Sequence, residues 1–174
     1  MSEIPARCVQ KTSDPLIVFR EMKSKITFEN PNHNSYFAIQ VDGCVFNAAD
    51  GPKCDKLLES EEFADQYFVE LKGNDTAKAV EQLEASIGKL PPRINEAKRM
   101  AFAVFSNTCP KNDTKRQAIV KSFNKKGIEI RFCRTGETFR LERQQGFKLL
   151  DKKTAKNYPK MQGETMVKKE LGKR

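Results

Sequence analysis

The seven residues QYFVELK, Gln66–Lys72, constrain the fold more than any other stretch of this chain. Tyr67, Val69 and Leu71 fall on one face of a strand, and Glu70 and Lys72 share the other. Gly73 and Asn74 end the run. Asp75 then opens a predicted helix to about Ile87, with Ala77, Val80, Leu83 and Ile87 as its apolar stripe and Glu81, Glu84 and Ser86 in solvent. Gly88 and the Pro91-Pro92 pair stop that helix. The apolar run MAFAVF, residues 100–105, reads as a central strand buried on both faces. Strand, helix and buried strand in that order require a sheet with a helix packed on it.

The flanking segments extend this pattern. Residues 14–25 read as a helix capped by Asp14 with Pro15 at its first position, although Ile17-Val18 keeps a strand open. Ile26-Thr27-Phe28 and residues 36–41 alternate on either side of a turn, ENPNHNS, and read as a hairpin. Cys44-Val45-Phe46 resumes the second strand, and residues 47–52 form another turn. A short strand over residues 53–58 carries Asp55 near its start. Residues 111–126 read as a basic helix with Ala118, Ile119 and Phe123 inward, and Gly127 caps it. Ile128, Ile130 and Phe132 mark a further strand, and residues 139–150 a last ordered piece. The expected fold is α/β, a central mixed sheet flanked by helices. Residues 1–150 form the domain, and 151–174 a lysine-rich tail or terminal helix.

The formal net charge of +9 favours a phosphate-rich partner. No stretch approaches the roughly 20 apolar residues of a membrane span, and the first residues hold no apolar signal core, so a cytoplasmic protein without a membrane partner is expected. Cys8, Cys44, Cys54, Cys109 and Cys133 form no C-x-x-C pair, and the lone His33 completes no zinc set. Five reduced thiols are therefore expected.

The chemistry concentrates at Asp55, Glu70 and Lys72. Glu70 and Lys72 project from one face at the end of their strand, the edge where open α/β sheets place their sites. The strand beginning at Asp55 can pair with Gln66–Lys72 at about 4.8 Å, which brings both carboxylates within reach of one ion. Two carboxylates suit a hard cation such as Mg²⁺. A metal polarises a scissile phosphate and acidifies a bound water. A lysine beside them orients that water or offsets charge on the phosphorane.

Cys54-Asp55, fourteen intervening residues, then Glu70-Leu71-Lys72 resembles the D…E-x-K signature of PD-(D/E)XK nucleases. The likeness spans residues 37–132 and includes the order of strands and helices. Cys54 stands where the family name has proline. The resemblance implies a restriction-endonuclease-like core and a Mg²⁺- or Mn²⁺-dependent endonuclease. It implies Asp55, Glu70 and the Leu71 carbonyl as metal ligands and Lys72 as the catalytic lysine. Family members often carry a first-helix glutamate, for which Glu21 is the candidate, with Glu29 and Asp42 as rivals. Gln82 matches by position a glutamine on the helix after the E-x-K strand, although it projects away from the Val80, Leu83 and Ile87 stripe. Many such nucleases are dimers, so a homodimer belongs to the same expectation.

Nucleic acid, DNA ahead of RNA, is the expected partner. Lys53, Lys56, Lys111, Lys115 and Arg116 are the candidate phosphate contacts. Two other classes fit the sequence: a nucleic-acid-binding module without turnover, and a basic protein-interaction or inhibitor protein.

Overall fold

A computed structural model describes residues 4–72, 75–107, 109 and 111–141, the Lys72 side chain excepted. The chain is α/β. The strands among the described residues are β1 (Val9–Thr12), β2 (Leu16–Glu21), β3 (Ser24–Glu29), β4 (Tyr36–Gln40), β5 (Lys56–Ser60), β6 (Gln66–Lys72), β7 (Arg99–Phe105), β8 (Ile128–Arg134) and β9 (Thr138–Arg140). Helix α1 (Thr76–Lys89) joins β6 to β7, and α2 (Thr114–Lys125) joins β7 to β8.

Six strands form one mixed sheet in the order β1-β4-β5-β6-β7-β8. The first half is antiparallel. From β6 to β8 the strands are parallel, as crossover helices require. Glu70 stands opposite Ala103, and Lys72, Phe105 and Arg134 are in register at the shared C-terminal edge. A smaller sheet, β2-β3-β9, completes the fold.

The two faces of the large sheet bury different partners. One face packs Leu57, Phe68, Ala101, Ala103 and Phe105 against Ala79, Leu83 and Ile87 of α1 and Phe123 of α2. The alanines at 79, 101 and 103 leave room for the helix to lie close. The other face packs Tyr67, Val69, Leu71, Met100 and Phe102 against Ile17, Phe19, Ile26 and Phe28 of the small sheet. Phe28 is fully buried, with ring centroids 5.4 Å from Phe102, 5.8 Å from Phe19 and 6.0 Å from Tyr67. It joins the layers as one aromatic cluster.

A buried polar chain closes the end of the sheet away from Lys72. Arg93 Nε donates to Glu59 Oε1 at 2.5 Å, and Gln66 Nε2 donates to Glu59 Oε2 at 3.1 Å. Arg99 Nε donates to Gln66 Oε1, and its Nη2 donates to the Ile87 and Leu90 carbonyls at the end of α1. This ties down carbonyls that a helix terminus leaves without intrahelical donors.

Several expectations are corrected. Residues 16–21 are a strand, not a helix: Ile17 and Phe19 are buried while Leu16, Val18 and Arg20 are exposed, the period of a sheet. β3 and β4 form no hairpin, because β3 pairs with β2 and β9, and β4 with β1 and β5. Residues 44–46 turn rather than extend β4. Ala118 of α2 is exposed, and only Phe123 of that helix is fully buried. Cys8 and Cys44 are disulfide-bonded, leaving Cys54, Cys109 and Cys133 as free thiols. Of the piece expected at residues 139–150, Phe139 and Arg140 lie in the three-residue β9. Residues 142–150, the tail at 151–174, and the strand stop at Gly73 and Asn74 lie outside the described residues. No described helix is long and apolar enough to cross a membrane.

Candidate active site

The path into the site begins at Asn47, which caps the 3₁₀ turn Ala48–Asp50. Past that turn, Lys53 is buried, and its ammonium donates to the Asn47 carbonyl at 2.5 Å and the Gly51 carbonyl at 3.0 Å. Lys53 thus fastens the loop leading into Asp55.

Asp55 directly precedes β5 and is only 4% exposed. Its N–H donates to the Val69 carbonyl at 3.1 Å, and its carbonyl accepts from Val41 at 3.0 Å. Asp55 Oδ2 accepts the Leu71 N–H at 2.6 Å. The side chain thus takes over from the backbone ladder at this end of the β5–β6 pair. A charge-assisted bond of this kind is short and strong.

Glu70 is fully buried in β6. Strand alternation puts it on the same face as Phe68, and Asp55 on the same face as Leu57. Phe68 and Leu57 both belong to the core beneath α1, so both carboxylates point to the helix side. Cys54 registers both charges. Burial pushes its thiol up to about 12, a hydrogen bond with Ser86 opposes the rise, and the Glu70 and Asp55 charges add to it.

Helix α1 supplies further oxygen and nitrogen atoms. Gln82 is 9% exposed, and its Nε2 donates to the Lys53 carbonyl at 2.8 Å. Its Oε1 is buried without a hydrogen-bond partner among the described residues. Ser86 Oγ, one turn on, accepts the Cys54 N–H at 2.7 Å. The buried stripe of α1 is therefore Ala79, Gln82, Leu83, Ser86 and Ile87. This corrects the expected orientation of Gln82 and Ser86. Both sit one position from the apolar stripe, on the flank that meets the segment at Cys54.

The remaining candidates separate. Asp42 is near: its N–H donates to the Asp55 carbonyl at 3.4 Å, while its carboxylate lies half-exposed, 3.8 Å from the Lys53 ammonium. Glu21 and Glu29 end strands of the small sheet, on the opposite face of the large sheet from Asp55 and Glu70. No helix carries Glu21, so it takes no first-helix position. Lys56 points to the small-sheet side and bonds Gln40 Oε1. Lys111 and Lys115 are exposed around the start of α2, and the Arg116 guanidinium lies 4.9 Å from the Phe132 ring centroid. That end of α2 follows β7, so it stands at the same sheet edge as Glu70. Lys72 pairs with Phe105 through its backbone.

No family model, no curated protein and no solved structure matches this chain.

The donor set can be weighed on its own chemistry. Among the described residues, no three or more His, Cys, Asp or Glu side chains converge. Asp55 is hydrogen-bonded to Val69 and Leu71, the two residues that flank Glu70, and both acids are buried. Asp55 Oδ2 accepts the Leu71 N–H, and the Gln82 amide oxygen is buried without a hydrogen-bond partner among the described residues. An all-oxygen set of this size suits a hard divalent ion that retains several waters, and does not suit a thiophilic one.

Proposed function

We propose that this protein is a metal-dependent nuclease that hydrolyses nucleic-acid phosphodiester bonds, with DNA the first candidate substrate and a restriction-endonuclease-like core. The observation that carries this reading is the pair of buried carboxylates, Asp55 and Glu70, facing α1 at the C-terminal end of β6. Burying two acids side by side is costly unless a cation or a proton offsets them. The oxygen donors around them fit Mg²⁺ or Mn²⁺, which when bound polarises a phosphate and acidifies a water. The spacing of Asp55 from Glu70-Leu71-Lys72, on which the family resemblance rests, supports the same reading.

In this account Asp55 and Glu70 hold the ion, with the Leu71 carbonyl as a further ligand. Asp55 also fixes the β5–β6 register through Leu71. Gln82 holds the Lys53 carbonyl and so positions the segment that carries Asp55. Lys72 orients the attacking water. Lys111, Lys115 and Arg116, at the same edge, bind phosphates flanking the scissile bond. Lys53 plays no such part, because its ammonium is committed to the loop carbonyls.

The test is cleavage of single-stranded, double-stranded and branched DNA and RNA with Mg²⁺, Mn²⁺ or chelator. Asp55→Asn, Glu70→Gln and Lys72→Ala are run beside the wild type. Metal-dependent cutting that disappears in all three variants supports the proposal. Salt-sensitive binding with no cutting replaces it with a binding module, and neither cutting nor binding leaves the protein-interaction class.

A further inference from the structure

The outer edge of β2 has features that the carboxylate site does not use. Among the described residues β2 is the terminal strand of the small sheet, and its ladder runs to β3. Among the described residues, no backbone hydrogen bond reaches its other edge. A six-residue strand presents about 20 Å of alternating N–H and C=O groups there. Exposed edges are usually blunted by a charge, a bulge or an internal proline. In β2 charge enters only at Arg20 and Glu21, so Leu16-Ile17-Val18-Phe19 is left without one, and Pro15 lies just outside the strand.

The edge does not open onto bulk solvent alone. It forms one wall of a cleft of about 460 Å³, whose other side is the face of the large sheet at β1, β4 and Lys56. The outward side chains Leu16 and Val18, two residues apart, are 56% and 47% exposed. Arg7, Arg20 and Lys56 border the cleft against one carboxylate, Asp14. Arg7 and Arg20 have no ion pair among the described residues.

We infer that the β2 edge is a docking site for an extended acidic peptide segment of a partner protein, which adds to the small sheet as a fourth strand. The unpaired main-chain groups match a peptide backbone. A nucleic-acid strand offers phosphates, which cannot continue a ladder of alternating donors and acceptors. The exposed Leu16 and Val18 receive alternate apolar side chains of the incoming strand. Arg7 and Lys56, across the cleft from β2, select the acidic residues between them, whereas Arg20 shares the outward face of Leu16 and Val18. This inference is independent of the nuclease reading, because the cleft lies on the opposite face of the large sheet from Asp55 and Glu70.

The test uses the full chain and a fluorescein-labelled eight-residue peptide of alternating valine and glutamate, read by fluorescence anisotropy. Three comparisons accompany it: the peptide N-methylated at alternate residues in either register, the peptide with lysine for glutamate, and the variants Arg7→Glu and Val18→Lys. Circular dichroism and the melting temperature establish that the variants fold, as expected for exposed positions. Saturable binding, weakened roughly tenfold or more by one N-methylation register, by lysine and by each variant, is the expected result. Absence of saturable binding at millimolar protein, or equal binding of the N-methylated peptides, overturns it. A concentration-dependent dimer dissolved by Val18→Lys overturns it in favour of a second copy of this chain. Displacement of the peptide by an oligodeoxynucleotide overturns it in favour of nucleic acid.

Discussion

The Asp55 carboxylate accepts the backbone N–H of Leu71 at 2.6 Å, so one candidate metal ligand also fixes the strand that carries the other. Structure and chemistry can therefore be separated by the choice of substitution. Asp55→Asn keeps an oxygen acceptor for Leu71 and is expected to fold with little loss. Asp55→Ala leaves a buried N–H without an acceptor, at a cost of about 1–3 kcal/mol. Urea titration distinguishes the two variants, while cleavage activity is expected to vanish in both.

The Cys8–Cys44 disulfide closes a loop spanning 36 residues and ties the chain before β1 to the turn beside Asp42. On the chain-entropy account, such a crosslink contributes roughly 3–4 kcal/mol. A Cys8→Ser/Cys44→Ser variant is expected to lose about that much in urea titrations, and reductant is expected to lower the wild-type midpoint to match. Equal midpoints with and without reductant would show that the bridge does not stabilise the fold.

Phe28 anchors the small sheet to the large one. Phe28→Ala opens a cavity among Phe19, Tyr67 and Phe102 and is expected to cost about 3–5 kcal/mol. Phe28→Leu is expected to cost less. Because this layer lies across the sheet from Asp55 and Glu70, the variant that remains folded is expected to retain wild-type activity at low temperature.

Burial pushes the Cys54 and Cys133 thiols up to about 12. In the unfolded chain both ionise near the ordinary thiol value of about 8.5. Between those limits the native state holds protons that the unfolded state has released, so stability falls as pH rises. A Cys54→Ala/Cys133→Ala variant is expected to show a shallower alkaline decline in melting temperature. The same burial predicts that neither thiol reacts with Ellman's reagent before unfolding.

Much of the local structure around the candidate site was legible because it rests on short-range alternation. Gln66–Lys72 is bounded in the structure as in the sequence, since Tyr67, Val69 and Leu71 need one face and Phe68 and Glu70 the other. Asp75 caps α1 by accepting the Lys78 N–H, the local chemistry expected of it. What failed needed long-range information. Asp14-Pro15 resembles a helix start, but Ile17 and Phe19 are claimed by a core that Tyr67 and Phe102 complete. The alternation in β3 and β4 marks strands without naming the sheet each joins. Gln82 and Ser86 look solvent-bound on a helical wheel, yet they meet backbone groups at Lys53 and Cys54, about thirty positions earlier. The Cys8–Cys44 pairing likewise depends on how β1 is laid against β4.

Mn²⁺ binding to the full chain, followed by titration calorimetry and by loss of the free-ion electron paramagnetic resonance signal, tests the central claim most directly. The account predicts saturable binding in the wild type. It also predicts affinity reduced roughly tenfold or more in Glu70→Gln, a change of at least about 1.4 kcal/mol, with the melting temperature of the metal-free protein maintained. Binding unchanged in a folded Glu70→Gln chain would contradict the assignment of Asp55 and Glu70 as the metal site.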